Sequence, residues 1–205
     1  MAKITKNEIL DACIIGINNS FKEYLKWSGG TDWLWKAPEY FLTVNIAKEL
    51  WSIKNPAKFI TLEDNIHSTL KEADAKIKGK IETKARANGR SDILFWWAKG
   101  TPRGIIEVKN GIYQKKHIQE DLDRIYAILK KDSTIEFGVV TFYIDRHFTS
   151  GYATKKIETR IKEKFLEEIQ KETHSKSLKM KKKTKQVIDN SDIDAAYAVA
   201  IMIYK

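Results

Sequence analysis

The sequence predicts an α+β domain, with a central sheet that contains a three-stranded meander and is flanked by helices. Two observations carry this. Segments whose apolar residues recur at helical spacing alternate with short runs rich in β-branched and aromatic residues. In the middle of the chain two such runs follow one another directly: Asp92-Ile-Leu-Phe-Trp-Trp97 and Arg103-Gly-Ile-Ile-Glu107-Val-Lys109, separated by a turn around Gly100 and Pro102. A chain of 205 residues, 42 % of them apolar, suffices for one domain with a sizeable core.

Taken in order, the spacing predicts a first helix over Glu8 to Trp27, ended by Ser28-Gly29-Gly30. A second helix starts near Pro38, a residue suited to a first turn, and runs to about Trp51 with Tyr40, Val44, Ala47 and Trp51 as its apolar stripe. Thr61-Leu62-Glu63-Asp64 reads as a capping box for a third helix, with Ile66, Leu70, Ala73 and Ile77 buried. Lys80 to Ala87 reads as a strand, joined by the hairpin signal Asn88-Gly89 to the strand that opens at Arg90. After Lys109, a loop through Asn110-Gly111 leads to a helix from about His117 to Lys131. Its core stripe is Ile118, Leu122, Ile125 and Leu129, and Asp121 with Arg124 reads as an ordinary surface pair. Ile135 to Ile144 reads as a buried strand, and residues 155 to 173 as a charged helix with Ile157, Ile161, Phe165 and Ile169 on one side, a stripe suited to core packing or a homodimer contact. Lys176, Lys179, Lys181, Lys182, Lys183 and Lys185 crowd a segment that reads as a basic loop. Ala195 to Tyr204 reads as a last strand, although the same run also suits a buried helix.

Side chains on a strand alternate between faces, so Glu107 and Lys109 point one way and Val108 the other. Asp92 joins that face if it pairs with residue 107 or 109. Pairing with 109 keeps Pro102 in the loop, where its missing N–H does little harm, and is the favoured register. The turn at Asn88-Gly89 would pair Ala85 with Asp92, leaving room for an ion beside the carboxylate. Charges set into apolar strands need partners or a metal. Two carboxylates and an ammonium in one place can bind a divalent cation and activate water against a phosphodiester.

Asp92, fourteen intervening residues and then Glu107-Val108-Lys109 resemble the PD-(D/E)XK nuclease superfamily, the restriction-endonuclease-like fold, with Ser91 where the motif has proline. The resemblance implies a core of helix, three-stranded meander, helix and further strand in a central mixed sheet over residues 38–145. Residues 1–37 then form an N-terminal helical segment, and 146–205 a C-terminal helix, basic loop and final strand. It also implies a Mg²⁺-dependent nuclease, with Mn²⁺ able to substitute. Asp92 and Glu107 would bind the metal, the Val108 carbonyl would add a main-chain ligand, and Lys109 would act on the attacking water. In similar nucleases the helix after this strand flanks the active site, so Gln119, Asp121 and Arg124, which lie off the core stripe, have contact with substrate or outer-shell waters as the alternative to the favoured surface pair. A further acidic ligand is expected from a helix ahead of the meander. Glu39 and Glu63 both qualify, with Glu39 favoured; favourable helix N-terminal electrostatics accounts equally well for either residue. The expected substrate is DNA, in restriction or phage defence, a mobile element or repair. The alternative is a catalytically inactive nucleic-acid-binding or interaction protein on the same fold.

Composition bounds the remainder. Lys and Arg number 37 against 27 Asp and Glu, and the net charge of +10 suits a polyanionic partner such as nucleic acid as well as it suits a merely soluble, lysine-rich protein. The single cysteine, Cys13, excludes an internal disulfide and fits a reducing, cytoplasmic setting. No apolar run approaches the length of a membrane span, and the first residues lack a signal-peptide core. His67, His117, His147 and His174 show no ligand spacing with one another or with Cys13, which argues against zinc. There is no Walker loop, Gly-x-Gly-x-x-Gly or Gly-x-Ser-x-Gly. Of the six tryptophans, Trp33 and Trp35 lie in a loop region and are the better candidates for stacking on bases.

Overall fold

The computed structural model describes residues 4–53, 59–75, 89–97, 99–188 and 192–205. Among these, the strands are β1 (Ile60–Asn65), β2 (Arg90–Trp96), β3 (Pro102–Lys109), β4 (Phe137–His147), β5 (Lys179–Gln186) and β6 (Asp194–Tyr204). They form one open mixed sheet in the order β1-β2-β3-β4-β6-β5. Every neighbouring pair is antiparallel except β3 with β4. The helices are α1 (Lys6–Trp27), α2 (Glu39–Ser52), α3 (Ile66–Glu72), α4 (Gln119–Leu129), α5 (Ala153–Ile161) and α6 (Glu167–Ser175). A parallel pair needs a crossover, and α4 supplies it between β3 and β4. The fold is α+β.

Helices cover both faces of the sheet. On one, Ile93, Phe95, Ile106, Val108, Val139 and Tyr143 pack with Ile9 and Ile17 of α1 and with Leu42 and Ile46 of α2. On the other, Leu94, Ile105, Val140, Phe142 and Ile144 pack with Ile66 of α3, Leu122 and Ile125 of α4, Ile157 of α5 and Phe165. Strands buried on both sides read as nearly unbroken apolar runs, which is why β4 and β6 stand out in the sequence. Strand alternation puts Asp92 on the face of Leu94, and Glu107 on the face of Ile105, under α4.

Helix α1 begins with a reciprocal cap: Glu8 N–H donates to Thr5 Oγ1 at 3.2 Å, and Thr5 N–H donates to the Glu8 carboxylate at 2.7 Å. α5 runs into α6 through a π-helical turn, Lys162–Leu166. Ile157, Ile161, Phe165 and Ile169 repeat every four residues, a longer period than the 3.6 of an α-helix, so their stripe drifts around the axis. The wide turn brings it back onto the core, where all four are fully or almost fully buried. This stripe is core rather than an exposed contact surface.

Several expectations are corrected. Thr61–Asp64 is strand, because Ile60 to Leu62 pair with Ile93 to Phe95; the N-cap of α3 is Asn65, whose Oδ1 accepts from His67 N–H at 3.0 Å and Ser68 N–H at 3.2 Å. The first strand of the meander is therefore β1. The strand expected at Lys80 to Ala87, its Asn88 turn and the pairing of Ala85 with Asp92 lie outside the described residues, as does Ile77. Ile93 pairs with Ile106, so the register places Asp92 opposite Glu107 rather than Lys109. Pro102 enters the sheet as the first residue of β3, where no N–H is missed, and a register shift between Phe95 and Trp96 absorbs the difference. On α2 the inward face is Leu42, Ile46 and Leu50, while Tyr40 and Trp51 are exposed. The basic segment is not a loop but the edge strand β5, whose lysines discourage further strand pairing. Ala195 to Tyr204 is strand, within β6. Among the described residues no helix is long and apolar enough to cross a membrane.

Gly104 shows how tightly β3 meets β4. It pairs with Phe137, and a Cβ at this position would lie 2.4 Å from the buried Phe137 ring. Gly104→Ala is expected to destabilise the fold by about 1–3 kcal/mol through overpacking. Urea denaturation checks this; an unchanged midpoint would contradict the packing described.

Candidate functional site

Four elements converge at the end of β3. The strand itself supplies Glu107 and Lys109, β2 supplies Asp92, α2 supplies Glu39 in its first turn, and α4 supplies Asp121 and Arg124. Asp92 Oδ2 accepts the Val108 main-chain N–H at 2.6 Å, fixing the carboxylate against β3 one residue beyond Glu107. Glu107 is 1 % exposed. Its Oε1 accepts from Arg124 Nη1 at 2.8 Å, and the same nitrogen donates to the Arg90 carbonyl at 3.0 Å, tying α4 to the start of β2.

Lys109 is the centre of a second group. Its Nζ donates to Glu39 Oε1 at 3.0 Å and to the Val108 carbonyl at 3.1 Å, and lies 3.7 Å from Asp121 Oδ2. Glu39 Oε2 accepts the Asn110 main-chain N–H at 3.2 Å. Asp121 Oδ1 stands 3.7 Å from Arg124 Nη2, so it links the two cations. Asp92, Lys109 and Glu39 are partly or well exposed, and the cluster opens to solvent on that side.

Four carboxylates thus share two cationic side chains. The imbalance shows in the proton affinities. Burial pushes the Glu107 carboxyl up to about 8, opposed by Arg124 and reinforced by the charges of Asp92 and Asp121. Burial also raises Asp121, against the pull of Lys109 and Arg124 and with the push of Asp92 and Glu39. At Lys109 burial acts downward, but Asp121, Glu39 and Asp92 together outweigh it and hold the ammonium above its ordinary value.

The divalent cation implied by the resemblance can be weighed against these residues. The donors are all hard oxygen, the type Mg²⁺ prefers. The surplus of two negative charges matches one such ion. One oxygen of Asp92 and one of Glu107 lie outside the hydrogen bonds just described. No complete cage is preformed: among the described residues, no group of three or more His, Cys, Asp or Glu is arranged to hold a metal. The residues fit Mg²⁺ in charge and ligand type, on Asp92 and Glu107. The Val108 carbonyl is directed at Lys109 Nζ, and Glu39 is held by Lys109 and Asn110. Glu63 is exposed on β1 at a positive φ of 58°, and no described contact ties it to the cluster.

Asp92, Glu107, Lys109 and Glu39 are thus brought together; Glu63 is not joined to them. Asp121 and Arg124 complete the cluster; of the two readings the sequence allows for them, the favoured surface pair is corrected, since they are 5 % and 6 % exposed. Their spacing suits an exposed pair and a buried one equally. The available signal was their position beside the buried stripe of a helix that must cross over the charged end of β3.

Removing one partner of a buried ion pair leaves the other uncompensated. Arg124→Met is expected to destabilise the protein by about 3–5 kcal/mol, and Glu107→Met in addition to recover most of that loss. A double-mutant cycle in urea checks this; additive losses would show that the two residues do not depend on each other. No protein-family model, curated protein or solved structure matches this chain, so the functional reading rests on the cluster itself.

Proposed function

We propose that the protein is a Mg²⁺-dependent nuclease hydrolysing phosphodiester bonds, with DNA the favoured substrate and Asp92, Glu107 and Lys109 as its catalytic residues. The carrying observation is the shared ion-pair network that links Lys109 to Glu39 and Asp121 beside the Asp92–Glu107 pair, at a strand end open to solvent. The chain order α2, β1-β2-β3, α4, β4, with β4 parallel to β3, supports reading residues 38–145 as a restriction-endonuclease-like core, with α3 added between β1 and β2. The net charge of +10 and the lysines of β5 suit a polyanionic substrate.

Bound at Asp92 and Glu107, Mg²⁺ would polarise the phosphate and make water a stronger acid. The chain supplies the rest. Val108 N–H orients Asp92, and Arg124 fixes one oxygen of Glu107 and offsets part of the cost of burying its charge. Glu39 and Asp121 hold the Lys109 ammonium at the mouth of the cluster. There it can orient the attacking water and offset the negative charge that develops on the phosphoryl oxygens as the water oxygen bonds to phosphorus and the P–O ester bond breaks.

One observation favours a second reading, a catalytically inactive nucleic-acid-binding or interaction protein on the same architecture: Arg124 already neutralises Glu107. A cleavage assay separates the two. Asp92→Asn, Glu107→Gln and Lys109→Met are each expected to lower Mg²⁺-dependent cleavage of DNA by about 100-fold or more while melting as cooperatively as the wild type. Full activity in any one variant would refute the role of that residue. Absence of cleavage by the wild type on DNA and RNA, with Mg²⁺ or Mn²⁺, would establish the second reading.

A further inference from the structure

Beyond the end of β3, beside the last residues of β4, lies a cavity of about 660 Å³, whose walls include Trp33, Trp35, Tyr113, Asp145, Arg146 and His147. It adjoins the Lys109 cluster through a short, rigid connection. Asn110 follows Lys109, and its side-chain amide donates to the carbonyls of Leu34 and Ala37, both at 2.8 Å. These two carbonyls bracket the 3₁₀ turn that carries Trp35. The next residue, Gly111, has a φ of +64°, and a Cβ there would sit 3.4 Å from Trp35 Cβ. The backbone of Trp35 is thus fixed, yet its side chain is 50 % exposed. Tyr113 is equally well placed: its hydroxyl donates to Asp145 Oδ1 at 2.7 Å, and the Arg146 guanidinium lies 4.5 Å from its ring centroid.

The charges around this cavity are largely matched already. Lys36 pairs with Asp32 at 2.5 Å, Arg146 adjoins Asp145, and Asp194 Oδ1 shares a 2.8 Å hydrogen bond with His147 Nδ1. What remains is aromatic surface beside polar atoms of both kinds, with little charge to spare for a free anion. A flat heteroaromatic group with donors and acceptors on its edge meets these conditions, and the volume is in the range of small-molecule sites.

We propose that this cavity receives one unpaired nucleobase of a nucleic acid whose backbone passes over the Lys109 cluster. The base stacks on Trp35, and its polar edge meets the Tyr113–Asp145 pair. The inference rests on the nuclease reading and narrows its substrate class: the nucleotide beside the scissile phosphate is out of the duplex stack, since a base laid on the Trp35 ring cannot at the same time lie between its neighbours in a duplex. The preferred substrates are therefore strand ends, overhangs, flaps or loops rather than continuous duplex.

The test measures binding without cleavage. Fluorescence anisotropy in EDTA would compare a DNA hairpin carrying a three-nucleotide single-stranded overhang with the same hairpin whose overhang is abasic. The abasic overhang keeps the phosphates and removes only the bases. The wild type is expected to bind the base-bearing probe roughly fivefold or more tightly, as one base stacked on one aromatic ring provides. Trp35→Ala should lose that preference while binding the abasic probe as the wild type does, and Trp35→Phe should restore most of it. Equal binding of the two probes by the wild type, or an equal loss on both in Trp35→Ala, would overturn the proposal. If Mg²⁺-dependent cleavage persists in that case, the nuclease reading stands and only the base pocket fails. If neither probe is bound and nothing is cleaved, both fail.

Discussion

A carboxylate sealed within a sheet must be paired or give up its charge, and the architecture around Glu107 follows from that constraint. Arg124 meets it at 2.8 Å from the crossover helix, so α4 cannot slide or rotate over β3 without exposing an unmatched charge. The same guanidinium holds the Arg90 carbonyl and thereby the start of β2. With β2 fixed, Asp92 reaches the Val108 N–H; with α4 fixed, Asp121 stands beside Lys109. A well-packed apolar pair of similar volume would often be as stable or more so. Keeping a charged pair at this depth is therefore weakly explained by stability and better explained by chemistry.

The rest of the cluster is arranged so that its charges do not quite cancel. Lys109 faces Glu39 and Asp121 directly and feels Asp92 as well, which leaves it firmly protonated. An ammonium in that state is suited to positioning water and countering a growing negative charge, less so to removing a proton. Glu107 and Asp121 pull in the opposite direction, both raised by burial and by the charge of Asp92. On the proposed reading, Asp92 and Glu107 would hold a dication whose charge offsets that excess. The Trp35 cavity lies on the other side of Asn110, so one short segment positions both the ammonium and the aromatic wall.

The convergence of Asp92, Glu107 and Lys109 was legible because a period of two and apolar flanks leave them as charges that need a reason. Their register was less so. A proline is harmless at the first position of a strand, and the irregularity between Phe95 and Trp96 takes up a residue that no local pattern announces. On α2, Tyr40-Val44-Ala47-Trp51 and Leu42-Ile46-Leu50 both obey helical spacing; only the presence of α1 and the sheet decides between them. Thr61 to Asp64 carries the letters of a helix cap, but pairing with β2 outweighs a local signal worth about 1 kcal/mol. The lysines of β5 look like a loop because an edge strand with one exposed side tolerates the same composition. Asp121 and Arg124 were left between a surface pair and a place beside the site, because helical spacing records which residues are neighbours, not whether solvent reaches them.

Metal affinity tests the central claim most directly, because it needs no knowledge of substrate or cleavage site. Mn²⁺ titrated into the protein, followed by water-proton relaxation, reports the ion as it binds. The expected result is saturable binding in the wild type that weakens at least about tenfold in both Asp92→Asn and Glu107→Gln, as loss of a carboxylate ligand requires. Binding that is indifferent to both substitutions, or absent from the wild type at millimolar Mn²⁺, would contradict the assignment of these two carboxylates as a cation site.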